Sequence, residues 1–235
     1  MGGLDFTWLS DPLYQRWLIE GVLNTFALAA VSCVLAVLIG MAGTFVLLLD
    51  NPVSNRVITA FVELFRNTPP LLQMLFLYFT LTSIGLTIRN AAGDQVPLLN
   101  AWSCAALSLS LFGGAMCIEA FRSGFEAIPR STIEAARSLG YSRFALFRRV
   151  QVPIATRVCL PALTNIITNL FKTTAEASII TVPELMYYAG QIYNENFRTL
   201  EVMILVLLIY VFLVTLLAMG MGRIEKMLAY PGYGR

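Results

Sequence analysis

From Val22 to Leu49 the chain carries no charged side chain, and this run exceeds the roughly 20 apolar residues that cross the hydrocarbon core of a bilayer. In lipid every backbone N–H and C=O must find its partner within the segment, so such a run folds as a helix. Four further apolar runs follow. They cover Val57 to about Ile88, about Leu98 to Ile118, about Val158 to Val182, and Val202 to Gly222. With 57% hydrophobic and 13% charged residues and a mean hydropathy of +0.72, the chain is too apolar for a soluble domain. The expectation is an all-α integral membrane protein with five transmembrane helices. Neither an internal repeat nor a long linker divides it, so residues 1–235 read as a single transmembrane domain.

The second run is interrupted by Glu63, Arg66, Asn67 and the pair Pro69-Pro70. Two successive prolines remove two N–H donors and crowd the preceding turn, which predicts a kink or break there. Loop charges give the orientation. Arg122 to Arg157 holds seven arginines against Glu126 and Glu134, a net of +5, while Glu184 to Glu201 holds three acids against Arg198, a net of −2. The positive-inside rule places the arginine loop in the cytoplasm. Five spans then put the N-terminus outside and the C-terminus inside. Residues 1–21, with Asp5, Asp11, Glu20 and the aromatics Trp8, Tyr14 and Trp17, read as an external interfacial segment. They lack the basic start of a signal peptide.

Residues 127–153 form the main charged stretch between apolar runs, and they read as two short helices joined at a glycine. Ser131-x-x-Glu134 has the form of a capping box, which predicts a helix beginning at Thr132. Gly140 stands where a left-handed C-terminal residue is wanted. Ser142 is placed to cap a second helix, from Arg143 to about Val150, that stops ahead of Pro153. Ala135 and Ala136 keep one face thin, as a docking surface requires.

The spacing of Glu134-Ala135-Ala136, Gly140 and Val150-x-Val152-Pro153 resembles the EAA loop of ABC-importer permeases, whose pattern ends in Ile-x-Leu-Pro. Glu63-Leu64-Phe65-Arg66-Asn67-Thr68-Pro69 followed by Gln73, Glu119 to Gly124 leading into Ile128-Pro129, and Leu170 to Thr174 resemble the polar amino-acid branch of that family. Glu176 departs from it, since the family tends to carry a small or aliphatic residue there. The resemblance implies a bacterial cytoplasmic (inner) membrane, multi-pass permease subunit that pairs with a second permease, as homodimer or heterodimer. It also implies a cytoplasmic ABC ATPase dimer as motor and an external or periplasmic amino-acid-binding protein as donor. Glu134, Ala135, Ala136 and Gly140 are the implied ATPase-coupling residues. ATP and Mg belong to the partner ATPase, and this chain needs no cofactor, no metal and no nucleic acid. Its only lysines, Lys172 and Lys226, follow no glycine, so it has no P-loop and is not an enzyme.

Charges inside spanning segments are expensive and mark partners or water-filled paths. Glu63 with Arg66, and Lys172 with Glu176, are spaced to pair along one helix face, or else to meet the ammonium and carboxylate of an amino acid. Arg66, Asn67, Thr68, Gln73, Lys172 and Glu176 are the candidate pathway residues. The same charges leave an ion- or proton-coupled secondary transporter as the alternative function. Cys33, Cys104, Cys117 and Cys159 have no metal-type spacing and read as small buried hydrophobes, and the chain has no histidine.

Overall fold

A computed structural model describes residues 4–49, 51–85, 87–89, 95–97 and 99–228. The opening run is delivered as α1 (Pro12–Leu48), started by Asp11, whose carboxylate accepts from the Leu13 N–H at 2.8 Å, with Pro12 at the first helical position. Residues 12–21, grouped by sequence with the external segment, are therefore the first turns of α1. Ahead of them Thr7–Ser10 form a single 3₁₀ turn with Trp8 buried.

The second run is broken where the two prolines predict it. Helix α2 (Pro52–Asn67) ends, Thr68 and Pro69 are extended, and α3 (Pro70–Ser83) starts at the second proline. Its far end falls short of the expected Ile88. Thr82 and Ser83 turn their hydroxyls back onto the carbonyls of Tyr78 and Phe79, which weakens a last turn, and Gly85 follows in left-handed conformation, φ +69°. A two-stranded antiparallel ribbon, β1 (Thr87–Arg89) and β2 (Gln95–Pro97), intervenes. The remaining spans are α4 (Ala101–Glu126), α7 (Val152–Thr173) continued as a 3₁₀ segment Thr174–Ile180, and α9 (Thr199–Leu228). Between them lie α5 (Arg130–Ser138), α6 (Arg143–Leu146) and α8 (Leu185–Asn196). Four helices among the described residues are long and apolar enough to cross a membrane, and the fifth predicted span is the shorter apolar α3.

Helix α4 is the axis of the bundle, buried along most of its length and packed by α1, α7, α2 and α3. Small residues make the α1–α4 contact possible. A Cβ on Gly40 would lie 2.4 Å from the Cys117 Cβ, one on Gly114 would lie 2.5 Å from Ile39, and one on Gly43 would lie 2.5 Å from Ile118. Apolar burial gains little when the surrounding solvent is itself lipid, so close van der Waals contact and interhelical hydrogen bonds carry the association. Thr44 adds one such bond, donating its hydroxyl to the Ile118 carbonyl at 3.2 Å.

Replacing Gly40 by valine should force α1 and α4 apart and cost about 1–3 kcal/mol, the usual range for overpacking, seen as a lower Tm in mild detergent. Gly220→Ala is the control. Nothing lies within 4 Å of a Cβ there, and its Tm should hold or rise slightly, because alanine is the better helix former.

Candidate functional site

Two regions hold most of the residues singled out from sequence. One is the loop between α4 and α7. Helix α5 begins at Arg130, two residues earlier than the capping box predicts, with Pro129 as its cap and no side-chain cap bond. The fixed φ of Pro129 already points the chain into the helix, and its carbonyl takes the Thr132 N–H at 3.0 Å. Ser131 thus lies inside the first turn rather than at its cap. Gly140 behaves as expected, at φ +80°. The Gly140 N–H bonds the Arg137 carbonyl and the Tyr141 N–H bonds the Ala136 carbonyl, the paired closure of a Schellman motif.

Ser142 caps the second helix, accepting from the Ala145 N–H at 3.3 Å. That helix does not stop before Pro153. It passes through a π-helical turn, Phe147–Gln151, in which the Val152 N–H reaches back to Phe147, and enters α7 directly. The wider turn relieves the clash between a proline ring and the carbonyl four residues earlier. Phe147 stacks on Phe125 of α4 with centroids 5.7 Å apart and planes 3° from parallel, and meets Phe45 of α1 edge-on. The loop is thereby fastened to three spans. Glu134, Ala135 and Gly140 are exposed, whereas Ala136 is turned inward and buried, so the alanine pair does not present a single outward face. Leu139 (78% exposed) and Phe144 (70%) stand out from the same loop.

The other region is the break between α2 and α3. Gln73 is buried there, and its amide N–H groups donate to the Phe65 carbonyl, the Thr68 carbonyl and the Thr68 hydroxyl at 2.6–2.9 Å. It satisfies the helix end that the prolines leave open. Its amide oxygen has no partner among the described residues. Arg66 pairs with Glu119 of α4 rather than with Glu63. Lys172 and Glu176 form no pair either. The chain tightens from α to 3₁₀ at Thr174, and at about 120° per residue instead of about 100° the two side chains no longer share a face. Asn67 and Lys172 are exposed, and Thr68 is half-buried. No group of three or more His, Cys, Asp or Glu among the described residues could hold a metal ion.

Glu184 was not singled out from sequence beyond its loop charge, yet its carboxylate is fully buried. It caps α8 by accepting from the Met186 and Tyr187 N–H groups at 2.9 and 2.7 Å, and it accepts from the Tyr210 hydroxyl of α9 at 2.9 Å. Alongside, Thr25 of α1 accepts from the Leu185 N–H and Asn24 donates to the Pro183 carbonyl. Its place just ahead of an apolar helix was the available signal. At the same end Arg198 bridges Asp5 at 2.6 Å. The Thr7 backbone N–H and hydroxyl, together with Arg198, hold the Asp5 carboxyl below its ordinary range.

A comparison with known families decides what this arrangement belongs to. The family described as "Binding-protein-dependent transport system inner membrane component" matches residues 33–226. The chain belongs to that family. It is an ABC-importer permease of the amino-acid type, which leaves the ion-coupled alternative without support. The nopaline permease NocM of Agrobacterium fabrum is 32% identical over 196 residues, covering 83% of this chain and 81% of that one. The arginine permease ArtM of Haemophilus influenzae is 29% identical over 213 residues, 91% and 92% of the two chains. Among solved structures, a crystal structure of an amino acid ABC transporter with histidines superposes with a TM-score of 0.83 at 26% identity, covering 96% of this permease and all of that chain. The methionine transporter MetNI, at 22% identity and TM-score 0.76, shares the fold.

In this permease Glu184→Ala removes the cap of α8 and strands the Tyr210 hydroxyl, a loss of about 2–4 kcal/mol. The Tm in detergent should fall by several degrees. Glu184→Gln keeps a carbonyl oxygen for the cap and should lose less than half as much.

Proposed function

We propose that this permease forms half of a translocation path for a polar amino acid and is driven by a cytoplasmic ATPase dimer through residues 127–153. The observation that carries the reading is mechanical continuity. Helix α5 with its exposed Glu134 and Ala135, the Gly140 turn, α6 and the π turn run without a break into α7, while the Phe147 stack ties the same segment to α4 and α1. A push on α5 therefore reaches the spans directly. Exposed Leu139 and Phe144 supply apolar contact for a groove on the ATPase, Gly140 sets the angle between the two arms, and buried Ala136 lets α5 lie close to its own protein.

ATP and Mg act in that partner, a binding protein delivers the cargo, and a second permease, a copy or a relative, completes the path. On this reading residues 1–235 are one transmembrane unit, with the N-terminal segment outside and the C-terminus in the cytoplasm. Arg66, Asn67, Thr68 and Gln73 at the α2–α3 break, with Lys172 and Glu176 at the end of α7, border the path. The break frees backbone polar groups within an apolar run, which is tolerated where protein or water satisfies them, and Gln73 donates to the Phe65 and Thr68 carbonyls. A polar amino acid as cargo is in keeping with relatives named for nopaline and arginine transport.

Gly140→Pro cannot adopt φ +80° and removes the N–H that closes α5. Together with Glu134→Ala, it should reduce ATP-dependent uptake in proteoliposomes by about tenfold or more, a coupling loss above roughly 1.4 kcal/mol. Unchanged uptake in an assembled complex would remove the lever assignment. Alkaline phosphatase joined at Phe197 should be active and joined at Tyr141 inactive, and the reverse pattern would invert the orientation.

A further inference from the structure

Where the loop of residues 127–153 meets the end of α1 there is a cavity of about 520 Å³, within the roughly 300–1,000 Å³ of small-molecule sites. Phe45, Leu48 and Leu49 line it from α1. They belong to the last turns of a spanning helix, and all three side chains are exposed. From the loop come Arg137, Arg143 and Gln151. The Phe147 ring joins the two sides, meeting Phe45 edge-on with centroids 6.1 Å apart.

The two arginines stand on either side of the Gly140 turn, both exposed. Neither forms an ion pair among the described residues. The acids of the loop do not compensate them. Glu126 bridges Arg122, and Glu134 makes no bridge to either one. Two unneutralised guanidiniums and a patch of aliphatic and aromatic surface thus border one cavity, at the level where a spanning helix ends.

That pairing of chemistries is what a phospholipid presents at the edge of the bilayer. Guanidinium groups bind phosphate oxygens with directed, charge-assisted hydrogen bonds, and arginine near a helix end reaches up to the headgroups while its stem lies on apolar surface. Basic pockets beside spanning helices on the cytoplasmic side bind anionic headgroups. An acidic loop of a soluble partner would satisfy the arginines but leave the exposed end of α1 uncovered, and so would a free phosphate ester.

We propose that this cavity binds an anionic phospholipid of the cytoplasmic leaflet. Arg137 and Arg143 hold its headgroup, Gln151 adds an uncharged donor and acceptor, and the start of an acyl chain lies on Phe45, Leu48 and Leu49. The choice of leaflet rests on the reading that residues 127–153 face the cytoplasm. A lipid seated there joins α1 to both arms of the loop, so the anionic content of the membrane bears on how firmly the loop is held.

The test releases the assembled permease–ATPase complex from nanodiscs of equal phosphatidylglycerol and phosphatidylcholine, and counts the retained lipids by native mass spectrometry. The wild-type complex should retain phosphatidylglycerol over phosphatidylcholine by about tenfold or more, as two basic side chains at a headgroup imply. Arg137→Gln with Arg143→Gln should erase that preference. Arg148→Gln with Arg149→Gln removes two exposed arginines of the same loop that do not line the cavity, and should keep it. Absence of a preference in the wild type overturns the proposal, and this arm needs no variant to fold. Equal loss in both double variants overturns it in favour of diffuse loop charge. A preference kept in the Arg137/Arg143 variant overturns it as well, and loss of the ATPase from that variant would assign the two arginines to the partner. Soluble glycerol phosphate should fail to displace the lipid, and displacement at equal concentration would replace the lipid by a free phosphate ester. Orientation is read separately. An active phosphatase fusion at Tyr141 would overturn the cytoplasmic placement, whereas an inactive fusion with no lipid preference overturns the lipid site alone.

Discussion

Everything in this permease hangs on how closely α1 can lie against α4. Between two helices in lipid there is no water to expel, so attraction comes from van der Waals contact, and contact is limited by the bulk of the side chains between the axes. Gly40, Gly43 and Gly114 remove that bulk, leaving Cys117, Ile118 and Ile39 to fill the space. With α4 fixed in this way, α7 meets it from another side, where a Cβ on Gly124 would lie 2.6 Å from the Ala155 carbonyl oxygen. The break between α2 and α3 is tied to the same axis by the Arg66–Glu119 pair.

The two ends of the bundle are held by different chemistry. At one end the loop of residues 127–153 is fastened by aromatic stacking around Phe147 and by the burial of Ile128 and Leu146, contacts that are apolar and tolerant of small sliding. At the other, the first N–H groups of α8 donate to Glu184 and Thr25, Tyr210 donates to Glu184 and Asn24 donates to the Pro183 carbonyl just ahead of the helix, and the N-terminal segment is held by the Asp5–Arg198 bridge. Directed bonds to a buried carboxylate resist displacement, because moving one partner leaves a charge unsatisfied.

Polar groups inside the bundle sort into those that are spent and those that are not. Gln73 spends its two N–H donors on the open end of α2, and Arg66 and Glu119 neutralise each other across two helices. Glu176 and the Gln73 oxygen stay unspent. Helical breaks recur at these positions, at Thr68-Pro69 and at the start of the 3₁₀ segment. A broken helix is what turns backbone and side-chain groups away from their usual partners.

The linear order of residues was enough to establish the spans, the break at Pro69-Pro70, the left-handed turn at Gly140 and the Ser142 cap, since each depends on chemistry within a few positions of itself. It placed the start of α5 at Thr132, two residues late, because Pro129 had already fixed the backbone for a helix from Arg130. It ended α6 ahead of Pro153 because a π turn that accommodates the ring leaves no mark in composition. Only the tertiary structure decided that Arg66 meets Glu119 rather than Glu63, that Lys172 and Glu176 are turned apart, that Ala136 faces inward and that Glu184 is buried. Charges and small residues take their roles from whatever the packing brings beside them, and that neighbour lies on another helix.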